Sequence, residues 1–293
     1  MMTVFGVPLA ALAGQLALGL VNGCFYAILS LGLAVIFGML NIVNFAHGAF
    51  FMLGAFTAWL SLAYLGLGYW WALLIAPVVV GLIGIVLEKT LIGRIAKLDH
   101  LYAFIMTLGI ALMIQGVFRN YFGSTGAPYA PPPELAGGQD LGFVYLPNYR
   151  LWVMAVSLTV CFGTWFLIEK TKIGSYLRAA TENPTLLEAF GVNVGVLITA
   201  TYGVSVGLAA FAGVLAAPIY SVNPNMGADL IIVVFAVVVI GGLGSMMGAI
   251  LTGLGLGVIE ALTKVFYPEA STTVIFVVMA IILLTRPSGL FGR

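Results

Sequence analysis

Polar residues in this 293-residue chain are gathered into a few short stretches, separated by long apolar runs. A helix needs about 20 apolar residues to cross a bilayer. The pattern predicts spans at Leu9–Leu29, Ser30 to about Asn41, Gly48–Leu67, Tyr69–Leu87, Leu101–Phe118 and Leu151–Ile168. Further spans are expected at Val194–Ala217, Leu230–Ile240, Met246–Ile259 and Thr273–Thr285. Barrel strands would alternate polar and apolar residues, whereas these runs are continuous, so helices are expected. The expected fold is an all-α, polytopic membrane bundle of about eight to ten helices, some of them discontinuous. It is read as one membrane domain over residues 1–293.

Two stretches break the apolar pattern. Residues 121–150 hold Pro128, Pro131, Pro132, Pro133, Gly137 and Gly138, a loop composition. Residues 169–193 are the most polar part of the chain and are expected to face the cytoplasm, with 121–150 on the other side. Alternation over ten crossings then places Glu88–His100 and the C-terminus with the 169–193 loop. That side carries Lys89, Arg94, Lys97, Lys170, Lys172, Arg178, Arg286 and Arg293, against Arg119, Arg150 and Lys264 on the other. The excess agrees with the positive-inside rule.

Composition narrows the class. The chain is 62% hydrophobic and 7% charged, where a soluble domain carries about 25% charged residues. Asp, Glu, Lys and Arg are absent from Met1 to Leu87, as expected where a charge at mid-membrane costs about 2.5–3.5 kcal/mol. A net charge of +1 leaves no footprint for nucleic acid. Met1–Gly6 lacks the basic region of a signal peptide, so the first run is expected to stay as a helix. Cys24 and Cys161 lie in apolar runs and read as free packing thiols.

Candidate chemistry is sparse. Asn41, Asn44 and His47 crowd an otherwise apolar region and run into Gly48. Asn44 and His47, three apart, share a face if helical. Each needs a partner in lipid. They either line a polar path or bond to backbone and neighbouring helices; Asn22 is a further path candidate. Gly241, Gly242, Gly244 and Ser245 form a second interruption. Paired interruptions suit a transporter of two repeated halves; glycine-mediated packing, as in the Gly253–Gly257 pair, is the other reading. Glu260 and Lys264 are spaced to pair on a helix. P-loop and H-E-x-x-H motifs are absent, and no span clusters the residues of an enzyme site. The 169–193 loop has its own helix grammar: Asn183 as N-cap, Pro184 at the first helical position and Gly191 after Phe190. Such a short helix, carrying Leu186, Leu187 and Phe190, fits a protein groove or rests on lipid.

The stretch Ile42-Val-Asn44-Phe-Ala-His47-Gly48 with Met52-Leu-Gly54 resembles the permeases of bacterial branched-chain amino-acid ABC importers, the LivH type. Arg178-Ala179, Glu182, Gly191-Val-Asn193, Val239–Ser245 and the ending Arg286-Pro-Ser-Gly-Leu-Phe-Gly292 are similar to it too. The resemblance implies a multi-pass inner-membrane subunit with a cytoplasmic C-terminus. It would work with a second related permease, two cytoplasmic ATPase subunits and a periplasmic solute-binding protein. ATP and Mg²⁺ would belong to the ATPases, and this chain would hold no cofactor or metal. Arg178, Glu182, Asn183, Pro184, Leu187, Glu188, Phe190 and Gly191 would form the coupling loop that docks on an ATPase. Leu187 stands where the family often has a small alanine, which predicts a bulkier docking surface. A related branch carries urea, short amides or other small polar solutes, and the pathway residues leave that alternative open. An ion-coupled transporter acting alone would want ionisable residues in the membrane, and this chain has almost none.

Overall fold

A computed structural model describes residues 3–4, 7–40, 42, 44–95, 100–140, 142 and 144–292. Asn41, Lys97 and Arg293 lie outside the described residues. Eleven helices carry the fold: α1 Leu9–Leu40, α2 Ala46–Leu65, α3 Tyr69–Leu87, α4 His100–Phe122, α5 Asn148–Lys170, α6 Lys172–Glu182, α7 Pro184–Ala189, α8 Val194–Ala216, α9 Met226–Gly241, α10 Met246–Phe266 and α11 Thr273–Thr285. A π-helical turn, Glu88–Ile92, and a last helical turn, Gly93–Ile95, extend α3. Lipid offers backbone groups no partners, so apolar runs satisfy their own N–H and C=O groups by coiling.

The first two predicted spans are one helix. Ser30 is the sole polar side chain at the expected joint, and its hydroxyl bonds the Val234 carbonyl of α9 at 3.4 Å. Nothing there breaks the backbone ladder, so α1 runs 32 residues, about 48 Å. Two small hairpins add the only strands among the described residues. β1 Thr3–Val4 pairs β2 Val7–Pro8, and β3 Gly138–Asp140 pairs β4 Tyr145–Pro147 in the register Gln139↔Leu146. The second hairpin falls in the stretch expected to be plain loop.

α1 is the axis of the bundle. Its most apolar stretch is 83% buried, against 17% for α4. With α5 at 22% and α3 at 28%, α4 forms the rim that faces lipid or a partner. The main core joins Phe25, Ile28 and Leu31 of α1, Phe50, Phe51 and Phe56 of α2, and Val206, Ala210 and Leu215 of α8. α1 and α10 touch backbone to backbone. A Cβ on Gly257 would collide with Gly19 and Gly23, and one on Gly253 with Tyr26 and Ala27. The Gly253–Gly257 pair therefore serves close helix approach. Cys24 and Cys161 are buried and free.

Seven helices are long and apolar enough to cross a bilayer; α9 and α11 are shorter. Contacts at the helix ends show that these two traverse as well. One cavity gathers Gly38 near the end of α1, Glu169 near the end of α5, Arg178 of α6, Gly244 after α9, Met246 of α10 and the tail residue Phe291. A recess elsewhere gathers Gln15 of α1, Arg150 of α5, Ile219 after α8 and Lys264 of α10. These sets are opposite ends of the same helices. The chain enters α9 from the second end, where Val222 pairs with Ala127. It returns by α11 to the first end, where Leu290 N–H donates to the Ile240 carbonyl at 2.8 Å. The described chain thus makes nine traverses, and the C-terminal tail lies with α6 and α7.

The two predicted interruptions differ in depth. By Asn44 the chain has turned back from the end of α1 to the level of Leu29 and Tyr202. Tyr202 lies eight residues into α8, about 12 Å from its start. The Gly242–Ser245 turn, by contrast, sits at the end of the bundle beside Gly38.

Candidate translocation path and docking helix

Asn44 and His47 form a polar node in the middle of the bundle. Asn44 is 1% exposed and His47 0%. The Asn44 amide donates to the Tyr202 hydroxyl at 2.8 Å, and its Oδ1 accepts from the Ala46 N–H at 3.1 Å. His47 Nε2 lies 3.1 Å from the Leu29 carbonyl. A carbonyl only accepts, so the ring proton sits on Nε2. The Phe45 N–H donates to Thr107 Oγ1 at 3.2 Å. Three helices, α1, α4 and α8, therefore tie down the start of α2, where a non-helical backbone needs them most. Gly48 packs on Gly227, and a Cβ there would collide with the Gly227 carbonyl. Asn44, His47 and Gly48 touch protein on every side and line none of the three recesses described below.

The end that carries α6 and α7 holds a cavity of about 590 Å³. Gly244 and Ser245 line it with Trp165, Arg178 and Thr181. Ser245 caps α10, its Oγ accepting from Gly248 N–H at 3.2 Å. Gly242 has φ +100°, a conformation that favours glycine, and it abuts Gly292 of the tail. Gly241 packs on Gly248, and its carbonyl accepts from Phe291 N–H at 3.1 Å. The tail thereby satisfies carbonyls that the end of α9 would otherwise leave open. Arg178 pairs with Glu169 at 3.3 Å, both partly exposed.

α7 follows directly on α6, which lines this cavity. Asn183 Oδ1 accepts from Leu186 N–H at 2.9 Å, Pro184 opens the helix, and Gly191 leaves it at φ +83°. The capping signals read from the sequence are all in place. Leu187, however, is 6% exposed and packs on Ala180 and Val194. It anchors the helix and adds nothing to the outer surface, which corrects the expectation of a bulkier face. Leu186 at 56% and Phe190 at 77% are the apolar groups on show, flanked by exposed Glu182 and Glu188.

The opposite end carries a recess of about 230 Å³ that the sequence reading largely missed. Asn22, the one candidate foreseen there, accepts from the Tyr220 hydroxyl at 3.0 Å. Arg150, Glu260 and Lys264 complete its polar wall. Glu260 does not pair with Lys264 as its spacing suggested. Its Oε2 accepts from the Tyr26 hydroxyl at 2.7 Å, a partner that close α1–α10 packing delivers. Burial first, then the Glu260 charge, raises the Tyr220 hydroxyl above its ordinary pKa, while Arg150 opposes the shift. Tyr220 thus feels both charges. A neighbouring recess of about 490 Å³ shares Gln15, Leu18 and Arg150 with it. The missed signal was charge economy: Arg150 and Lys264 are two of three cations on that side of the chain.

Residue for residue, the chain is similar to known permeases. It is 30% identical to the high-affinity branched-chain amino acid transport system permease protein BraD of Pseudomonas aeruginosa, over 95% of each chain. It is 28% identical to the LivH permease protein of Escherichia coli K12, again over 95% of each. To the LivM permease protein of the same organism it is 29% identical, over 90% of this chain and 67% of LivM. The family described as branched-chain amino acid transport system / permease component matches residues 15–284. This multi-pass helical chain belongs to that permease family.

Proposed function

We propose that the chain is a membrane-spanning subunit of an ATP-driven importer and gives branched-chain or other hydrophobic amino acids their path through the inner membrane. The observation that carries this reading is α7. It is capped at both ends, anchored by buried Leu187, and presents Leu186 and Phe190 outward. An apolar helix face on a polar loop suits the groove of a partner protein. We assign that partner as an ATPase subunit and that end as cytoplasmic. The charge excess on this side and the position of the C-terminal tail beside α6 support the orientation. A second permease, related as LivM is to LivH, and a solute-binding protein on the far side complete the assembly.

The mechanism we assign is alternating access. A cavity lies at each end of α1, and between them Phe25, Ile28, Leu29 and Leu31 are 2% exposed or less. Closure of the ATPases on ATP would push on α7. Leu187 would pass the motion to α8, and the Arg178–Glu169 pair would pass it to the end of α5. The test is purification of the tagged chain from native membranes, followed by mass spectrometry. Recovery of an ATPase and a second permease is the expected result. A chain that purifies alone and moves solute down an ion gradient sinks the reading.

A further inference from the structure

The recess at the end opposite α7 places two cations and one carboxylate around a small space and pairs none of them with another. Among the described residues the ion pair present is Arg178–Glu169, at the other end of the molecule. Charges are scarce in this chain, and unpaired ones near lipid are costly. Three together ask for a ligand that carries both signs. Glu260 sits one helical turn before Lys264, and Arg150 faces them from α5. The Tyr26 hydroxyl holds Glu260 Oε2, which leaves Oε1 to accept. Asn22 Oδ1 takes one hydrogen bond from Tyr220 and has a second lone pair free. Leu18 and Ile219 supply an apolar wall in the same recess.

We propose that this recess is a selection site for zwitterions: Arg150 and Lys264 receive an α-carboxylate, Glu260 and Asn22 receive an α-ammonium, and Leu18 and Ile219 receive an apolar side chain. The assignment rests on the importer reading and adds the place where solute is first gripped by this chain. A zwitterion leaving water loses hydration at both ends, and each end needs a partner. Partners already locked in a salt bridge would have to break it first. Groups that form no ion pair with one another do not.

The test uses the full assembly in proteoliposomes, with its binding protein loaded with radiolabelled leucine. Arg150→Gln, Lys264→Gln and Glu260→Gln are compared with Glu269→Gln, an exposed carboxylate at the same end outside the recess. Uptake is normalised to assembled complex. The recess variants should each lose about ten-fold in maximal uptake, as expected for one charge-assisted contact. The concentration of binding protein giving half-maximal rate, and the ATP hydrolysis it stimulates, should stay at the unmodified level. Glu269→Gln should behave as the unmodified chain. Unchanged uptake in all three recess variants overturns the site. So does a rise in the half-maximal concentration alone, which would make the recess a docking surface for the binding protein. An unmodified complex that hydrolyses ATP yet takes up no leucine fails differently: it overturns the importer reading, and the site falls with it.

Discussion

The Tyr202 hydroxyl accepts the Asn44 amide at 2.8 Å, one of the bonds that hold the turn into α2. Tyr202→Phe keeps the ring and removes the partner. The Asn44 amide is then left unsatisfied among apolar groups, at about 1–3 kcal/mol. The expected outcome is a lower thermal midpoint for the detergent-purified chain, with little change in helix content by circular dichroism. Asn44→Leu alone also frees the buried Ala46 N–H, so the double variant with Tyr202→Phe should cost less than the two single variants added together, without returning to the unmodified level. A double variant as unstable as the sum of the two would show that the bond is not the source of the stability. Such residues were visible in sequence as polar outliers. Their partners were not, because Asn44 and Tyr202 are 158 positions apart and only packing brings them together.

Helices report more than single residues. The α1–α10 contact depends on glycines whose hydrogens let two backbones meet. Gly257→Leu should separate the helices, cost about 1–3 kcal/mol or more by overpacking, and move Glu260 away from Tyr26. Cross-linking of cysteines placed at Gln15 and Lys264 reads that separation; undiminished yield would count against it. At α7, Phe190→Ser should weaken ATPase recovery on co-purification and lower uptake about ten-fold, a loss typical of an aromatic interface anchor. Leu187→Ser should act otherwise, loosening the helix from Ala180 and Val194 and exposing it to proteolysis before any partner is added. Equal protease resistance in the two variants would remove the distinction between anchor and contact. The caps of α7 were legible from Asn183, Pro184 and Gly191 because capping is local. Which leucine faced inward was not, since a helix of six residues shows too few turns to fix a face.

For the molecule as a whole, topology is the testable claim. A cysteine added after Phe291 should be labelled only when a permeant maleimide reaches the cytoplasm, and one at Asp140 should be labelled from outside; the reverse pattern would invert the assignment. Apolar run length by itself determined that the chain is a helical membrane protein, because a 20-residue apolar segment has no other stable form in lipid. Charge distribution supplied the expected orientation, and merging the first two spans into α1 leaves it intact because that change lies before the 169–193 loop. Sequence also located both interruptions, since a polar or glycine break in an apolar run stands out wherever it falls. Their depth was settled by tertiary structure alone: Asn44 is buried at the level of Tyr202, while Gly244 opens on a cavity at the end. The same holds for the recess of Arg150, Glu260 and Lys264. Linear order records what each helix contains, but the neighbours of a side chain are chosen when helices pack, and only then does Glu260 turn to Tyr26 instead of Lys264.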